Sequence, residues 1–130
     1  MIEEKYLFGS REHPADAWVV ERFFDEMYNN GQERFIWVVS LIASRRGFVD
    51  DDSSCNFPDW TSFFEEDHFV GVQFGVYRPS PFAREVLVTD DECRRFLLEA
   101  CRRFVCLHPE HAGAIESALS TPPVPEGPEP

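Results

Sequence analysis

Acidic side chains are concentrated in one stretch of the chain, residues 50–67. This stretch contains seven carboxylates and no Lys or Arg. The carboxylates are Asp50, Asp51, Asp52, Asp59, Glu65, Glu66 and Asp67. Clustered like charges repel one another, which costs stability that a scattered arrangement would avoid. We therefore interpret the cluster as a surface for a cationic partner, although an acidic surface also simply keeps a protein soluble.

Aromatic residues are interleaved with these carboxylates. Phe57, Trp60, Phe63 and Phe64 lie in the same stretch. Protein interfaces place aromatic anchors inside a polar rim, so the mixture is typical of an interaction surface. The alternative is that Phe57, Trp60 and Phe63 fix the loop to the core while the acids are solvated. The predicted partner-binding residues are Asp50, Asp51, Asp52, Asp59, Trp60, Glu65, Glu66 and Asp67.

Nucleophilic catalysis would require a group such as Cys55 with His68 as base and Asp59 to orient it. No flanking motif accompanies these three residues, and most chains contain such a combination. The chain also lacks a Gly-rich phosphate loop. We predict no catalytic residue and no enzyme activity, and keep a small Cys-dependent hydrolase as the third hypothesis.

A metal site would draw on Cys101, Cys106, His108 and His111. These residues lack paired Cys-x-x-Cys spacing, and Cys101 and His108 are about two helical turns apart. The three consecutive Asp residues lack the alternating ligands, central Gly and distal Glu of a calcium loop. We predict no metal and no cofactor, and cysteines that are reduced.

The overall charge bounds the class of partner. The 130 residues carry 24 acids and 12 bases, a formal net charge of −12 that repels nucleic-acid phosphates. The first residues do not have the pattern of a secretory signal. The longest apolar run, residues 35–43, is about half the length of a bilayer span. We predict a cytoplasmic protein that binds neither nucleic acid nor membrane.

Hydrophobic periodicity predicts the elements that position these residues. Helices are expected over residues 14–30, 32–46, 90–107 and 109–119. A capping box from Thr89 to Glu92 predicts the start of the third helix. Gly47 is placed to end the second helix. The β-branched residues Val38 and Val39 leave a strand as the alternative for this segment. Residues 48–68 are predicted as a long loop with one helical turn near residues 60–64. Strands at 69–77 and 85–88 are expected to pair as a hairpin.

These elements predict an α+β fold, a small antiparallel β-hairpin or sheet packed against about four helices. Residues 1–120 are expected to form a single domain. Residues 121–130 are rich in Pro and acid and are expected to form a disordered tail. The oligomeric state is left open by the sequence.

Several segments together resemble the immunity proteins of contact-dependent growth inhibition ribonuclease toxins. The main ones are Cys-Asn-Phe-Pro-Asp-Trp at 55–60 and His-Phe-Val-Gly-Val-Gln-Phe-Gly-Val-Tyr at 68–77. Supporting segments lie at 23–31, 85–89 and 101–110, so the resemblance covers about residues 18–120. It implies a cytoplasmic antidote without enzyme activity that binds the toxin's C-terminal nuclease domain and blocks RNA cleavage.

Charge independently favours the same partner. A ribonuclease carries cations that hold RNA phosphate, so an inhibitor with exposed carboxylates meets those cations. We therefore expect the acidic surface to cover the toxin's RNA-binding surface or active site, or an exosite beside it. A generic acidic adaptor or regulatory subunit remains the second hypothesis.

Overall fold

The computed structural model describes residues 17–78 and 83–123. Within these residues the chain forms four α-helices and one four-stranded antiparallel sheet, which confirms the predicted α+β class. The elements are α1 (Ala17–Asn29), α2 (Gln32–Ala43), β1 (Phe48–Val49), β2 (Ser53–Asn56), β3 (Val72–Val76), β4 (Arg84–Val88), α3 (Asp90–Leu107) and α4 (Ala112–Leu119). Short 3₁₀ helices lie at Glu65–Asp67 and Pro109–His111.

The sheet has the order β1-β2-β3-β4, and one of its faces is buried. Phe48, Cys55, Phe74 and Val86 are cross-strand neighbours in a single row, and all four are buried. Helix α1 covers this row, and the Phe23 ring lies 5.2 Å from that of Phe74 in an edge-to-face contact. Alternate strand residues therefore point into the core, as expected for an antiparallel sheet packed on one side.

The helices complete the core through a second aromatic group. Phe35 of α2 stacks on Phe104 of α3 at a centroid distance of 4.6 Å, and Tyr28 of α1 meets Phe104 edge-to-face. The predicted capping box of α3 is present, because the Thr89 hydroxyl accepts from the Glu92 amide while the Glu92 carboxylate accepts from the Thr89 amide. This cap satisfies two backbone donors at the helix start.

Helix α2 ends earlier than predicted. The expectation was residue 46, with Gly47 as the terminator, whereas the helix ends at Ala43. Arg45 takes the left-handed conformation instead (φ 60°), and the Arg46 amide donates to the Leu41 carbonyl at 2.7 Å. This is a Schellman-type end built on an arginine in place of the usual glycine.

The prediction of an unbroken loop at residues 48–68 was wrong. The segment contains β1 and β2, and the helical turn lies at Glu65–Asp67 and not near residues 60–64. The sequence Ser-Ser-Cys-Asn of β2 has no alternating pattern, and the strand is recognised only through its pairing with β1 and β3. Val70, expected on the buried strand face, lies before β3 and is 84% exposed. The expected helix start near Pro14, the connection at residues 79–82 and most of the expected tail lie outside the described residues.

Candidate partner-binding surface

The fold divides the acidic stretch between two ends of the sheet. Asp50, Asp51 and Asp52 form the turn before Ser53, whose cross-strand partner is Val76 at the end of β3. The remaining acids lie in the β2–β3 loop, residues 57–71, beyond the opposite end of the ladder, where Asn56 pairs with Gln73. Strand β2 advances about 3.3 Å per residue, so roughly 10 Å of sheet separates the two groups.

In the β1–β2 turn, residues 50–52, two of the three carboxylates have hydrogen-bond or ion-pair partners. Asp50 Oδ1 accepts hydrogen bonds from the backbone amides of Asp52 and Ser53 at 2.8 and 2.9 Å. The other oxygen of Asp50 lies 3.5 Å from Arg34, and Asp52 forms an ion pair with Arg78 at 2.9 Å. Arginine thus compensates two of the three negative charges of the turn.

The β2–β3 loop uses its polar groups internally. Asp59 Oδ1 accepts from the Thr61 hydroxyl and amide at 2.6 and 3.1 Å, and the Asp59 amide donates to the Asp67 carbonyl at 2.8 Å. The Ser62 hydroxyl donates to Asp67 and accepts from the Phe64 amide. The Thr61 hydroxyl and amide lower the pKa of Asp59. Such a network holds the loop in one conformation.

Ring contacts fix the base of the loop. Trp60 stacks on His68 at 5.3 Å, and His68 Nε2 lies 2.8 Å from the Ser62 carbonyl oxygen. The Arg45 guanidinium lies 4.9 Å from the Phe57 ring and forms an ion pair with Asp90 at 3.0 Å. Arg45, whose backbone is left-handed, thus connects the end of α2 to the loop and to the start of α3.

The outer surface of the loop is both apolar and acidic. Phe63 is 101% exposed and Phe64 is 64% exposed, and Val70 also faces solvent. Glu65 and Glu66 follow the aromatic pair directly and are exposed. Residues 57–71 contain no Lys or Arg, and no ion pair joins either glutamate to a base within residues 17–78 and 83–123. The loop therefore carries uncompensated negative charge beside exposed rings.

A cleft of about 270 Å³ opens at the same end of the sheet. Its apolar lining includes Ile42, Phe57, Val72 and Leu97. Charged side chains of both signs complete the lining, namely Asp90, Asp91, Arg45 and Arg94. A protruding loop beside a partly apolar cleft is suited to contact with another protein.

Comparison with known proteins identifies the family. A family model described as CDI immunity protein, in which CDI denotes contact-dependent growth inhibition, matches residues 16–119. The chain belongs to this family. Its members neutralise a cognate toxin, and toxin neutralisation is therefore the general function of this protein.

A solved structure supports the fold of this immunity protein. The crystal structure of an immunity protein from Neisseria meningitidis MC58 superposes with a TM-score of 0.67. The alignment covers 82% of this chain and 87% of that chain at 15% sequence identity. This likeness concerns the fold. No match was found among curated protein sequences.

The three buried cysteines of the immunity protein are poor nucleophiles. Cys55 is fully buried in β2, and burial raises the pKa of its thiol well above the ordinary value. Desolvation likewise raises the pKa values of Cys93 and Cys101 to about 12. A thiol that stays protonated at neutral pH cannot act as a thiolate nucleophile, and His68 is engaged within the loop. This geometry argues against the hydrolase hypothesis.

The histidines considered for zinc binding have structural contacts instead. His108 Nε2 lies 2.7 Å from the Tyr28 hydroxyl, and His111 Nε2 lies 2.8 Å from Gln32 Oε1. These contacts tie the C-terminal elements to α1 and the start of α2. Across residues 17–78 and 83–123 no group of three or more His, Cys, Asp or Glu side chains is arranged to hold a metal. In the same residues no helix is both long and apolar enough to span a membrane.

The sequence prediction missed part of the exposed surface. It named Trp60 as the aromatic binding residue, but Trp60 is half-buried against His68, whereas Phe63 and Phe64 face solvent. Val70 was assigned to a strand. A usable signal was Gly71, whose φ of +102° breaks the alternation that the strand prediction extended through Val70.

Proposed function

We propose that this immunity protein neutralises a ribonuclease toxin by covering its cationic RNA-binding surface with an acidic face. The observation that carries the proposal is the uncompensated charge of the β2–β3 loop. Within residues 17–78 and 83–123 the carboxylates of Glu65 and Glu66 accept none of the loop's hydrogen bonds, and they directly follow two exposed aromatic rings. Carboxylates in that position are available to a partner's Lys and Arg residues.

The physical basis is shared electrostatic recognition. A ribonuclease requires cations to bind the RNA backbone, and the same cations attract carboxylates. Long-range attraction raises the rate of encounter, and short-range pairing fixes the register of the complex. Occupation of the RNA-binding surface then excludes substrate, so neutralisation requires no chemical step by the immunity protein.

The proposal includes a location. The immunity protein acts in the cytoplasm of the producing cell and its siblings, where the delivered toxin meets RNA. The partner is the toxin's nuclease domain, and neither nucleic acid nor membrane is bound. We include all seven acids of residues 50–67 in the proposed acidic surface, with Asp50, Asp51 and Asp52 at its periphery.

Co-expression tests the partner and its substrate. The toxin domain encoded beside this gene is induced in bacteria with and without the immunity protein, and survival and total RNA are measured. We expect toxin alone to degrade RNA and stop growth, and the immunity protein to restore both. Growth arrest with intact RNA would contradict a ribonuclease target while leaving toxin neutralisation in place.

Charge neutralisation tests the mechanism. All seven acids are replaced by Asn or Gln, which keep the hydrogen-bond acceptors of Asp50 and Asp59, and affinity for an inactive toxin domain is measured at several salt concentrations. We expect affinity and its salt dependence to fall while a thermal melt remains native-like. Unchanged affinity would contradict the acidic-face mechanism and direct attention to the arginines of α3.

A further inference from the structure

We infer that Phe63 and Phe64 form the anchor of the toxin complex, and that they insert into an apolar pocket ringed by Lys or Arg on the toxin domain. The inference rests on the proposed function and assigns its contact to the β2–β3 loop. It places the acids of the β1–β2 turn outside the centre of the interface.

Two neighbouring rings are exposed on a loop whose other groups hold it in place. Trp60 stacks on His68 at the base of the loop. Here Asp59, Ser62 and Asp67 bond within the loop, while Phe63 is 101% exposed and Phe64 is 64% exposed. Two consecutive exposed rings are costly to keep in water, and exposed apolar surface with a polar rim marks an interaction site.

The loop holds the two rings rigidly. The backbone on both sides of the rings is held, since the Phe64 amide donates to Ser62, and the Asp67 amide donates to the Phe64 carbonyl at 3.1 Å. The Asp59 amide closes the loop onto the Asp67 carbonyl. A side chain presented by an already ordered loop loses little conformational entropy on binding. Aromatic residues in this situation are the usual hot spots of an interface.

Charge indicates which partner contacts the two rings. Glu65 and Glu66 directly follow the rings, and residues 57–71 contain no Lys or Arg. A second copy of this chain would bring identical acidic loops together, which like-charge repulsion disfavours. A toxin surface with cations around an apolar pocket complements both features, the rings by burial and the carboxylates by pairing.

The β1–β2 turn lies outside the centre of the proposed toxin interface. Its Asp50 and Asp52 are engaged with Arg34 and Arg78. The turn also lies about 10 Å of strand away at the other end of the ladder, which is beyond the screening length of about 8 Å at physiological salt. The turn acids therefore contribute at most a weak, screened attraction.

The test compares two pairs of exposed apolar residues in the full chain. F63S/F64S removes the proposed anchor, and V49S/L87S removes two exposed apolar side chains of β1 and β4 on the face of the sheet away from α1. Dissociation constants for the inactive toxin domain are measured by calorimetry and by kinetics, with a thermal melt of each variant. We expect F63S/F64S to bind at least about 100-fold more weakly, mainly through faster dissociation, and V49S/L87S to stay within about threefold of wild type.

The outcomes separate this inference from the proposed function. If F63S/F64S binds within threefold of wild type while wild type still protects cells, the anchor assignment is overturned and the proposed function stands. If the toxin spares RNA but F63S/F64S still loses affinity, the anchor stands and the ribonuclease target is wrong. If sedimentation shows that wild type is a dimer and F63S/F64S a monomer, the rings serve a second copy and the inference fails.

Discussion

The β1–β2 turn and the β2–β3 loop are both acidic, but they use their carboxylates differently. In the turn, Asp50 caps two backbone amides, and Asp50 and Asp52 have arginine partners. In the loop, Asp59 and Asp67 hold the backbone, which leaves Glu65 and Glu66 exposed beside two rings. Two acidic segments of one chain thus give one structural turn and one surface suited to binding.

The difference arises from spacing. Three consecutive Asp residues at a tight reversal place one carboxylate over the amides that follow it, which is ordinary Asx-turn geometry. In the loop, Thr61 and Ser62 supply hydroxyl donors to the first and last acids of the segment. The glutamates between them have longer side chains and project away from this network.

The largest effect is expected where the loop rejoins the sheet. A Cβ on Gly71 would lie 2.3 Å from the Val88 carbonyl oxygen, and its φ is +102°. Gly71→Ala should lower the free energy of unfolding by about 3 kcal/mol or more through strain and overpacking. Gly113→Ala is the control, since nothing lies within 4 Å of that added atom, and it should be neutral or stabilising. Urea denaturation measures the free energy of unfolding of both variants. Equal stabilities would contradict the prediction that Gly71 is needed where the loop rejoins the sheet.

Removal of the turn's cap should have the next largest effect. Asp50→Ala leaves two backbone amides without their acceptor and should cost about 1–2 kcal/mol of stability. The neighbouring Asp51 is exposed, so Asp51→Ala should change stability by less than about 0.5 kcal/mol. The comparison is made from urea midpoints at constant slope. A loss at Asp51 as large as that at Asp50 would mean that charge density, not capping, dominates the turn.

Charge removal should affect toxin association unequally at the two ends. E65Q/E66Q and D51N/D52N each remove two negative charges. At about 0.15 M salt the loop variant should associate threefold to tenfold more slowly and the turn variant less than twofold more slowly, because distant charges are screened. Stopped-flow association with the inactive toxin domain measures both rates. Equal slowing of both variants would show that the net charge of the protein, and not the position of the charges, controls the association rate.

The smallest effect concerns acid titration within the loop. Because the Thr61 hydroxyl and amide hold the pKa of Asp59 below its ordinary value, the carboxylate's contribution to the loop is present at neutral pH and is lost only as pH falls through that lowered pKa. Thr61→Ala removes the hydroxyl donor and should raise the pKa of Asp59 toward its ordinary value. Carboxyl-carbon NMR titration of wild type and variant follows this shift. An unchanged pKa would mean that the hydroxyl does not stabilise the carboxylate.

Local interactions made the helices predictable from sequence. Helix α3 has the predicted start and end, since its capping box and apolar stripe involve residues three or four positions apart. The α+β class and the order of the helices followed from the same short-range patterns, whereas strands β1 and β2 were missed. The end of α2 was misplaced because Arg45 adopts its conformation in contact with Phe57 and Asp90, which are distant in sequence.

The sequence by itself determined the amount and sign of charge, the aromatic residues near it, and a family resemblance that the CDI immunity protein match confirms. Only the tertiary structure decided that the acids divide between two ends of a sheet, and that Phe63 and Phe64 face solvent while Trp60 stacks on His68. The physical reason is the range of the interactions. Strand β2 has no sequence pattern of its own and exists through pairing with β3, which begins 16 residues after β2 ends. The same long-range pairing fixes which side chains of the intervening loop reach water.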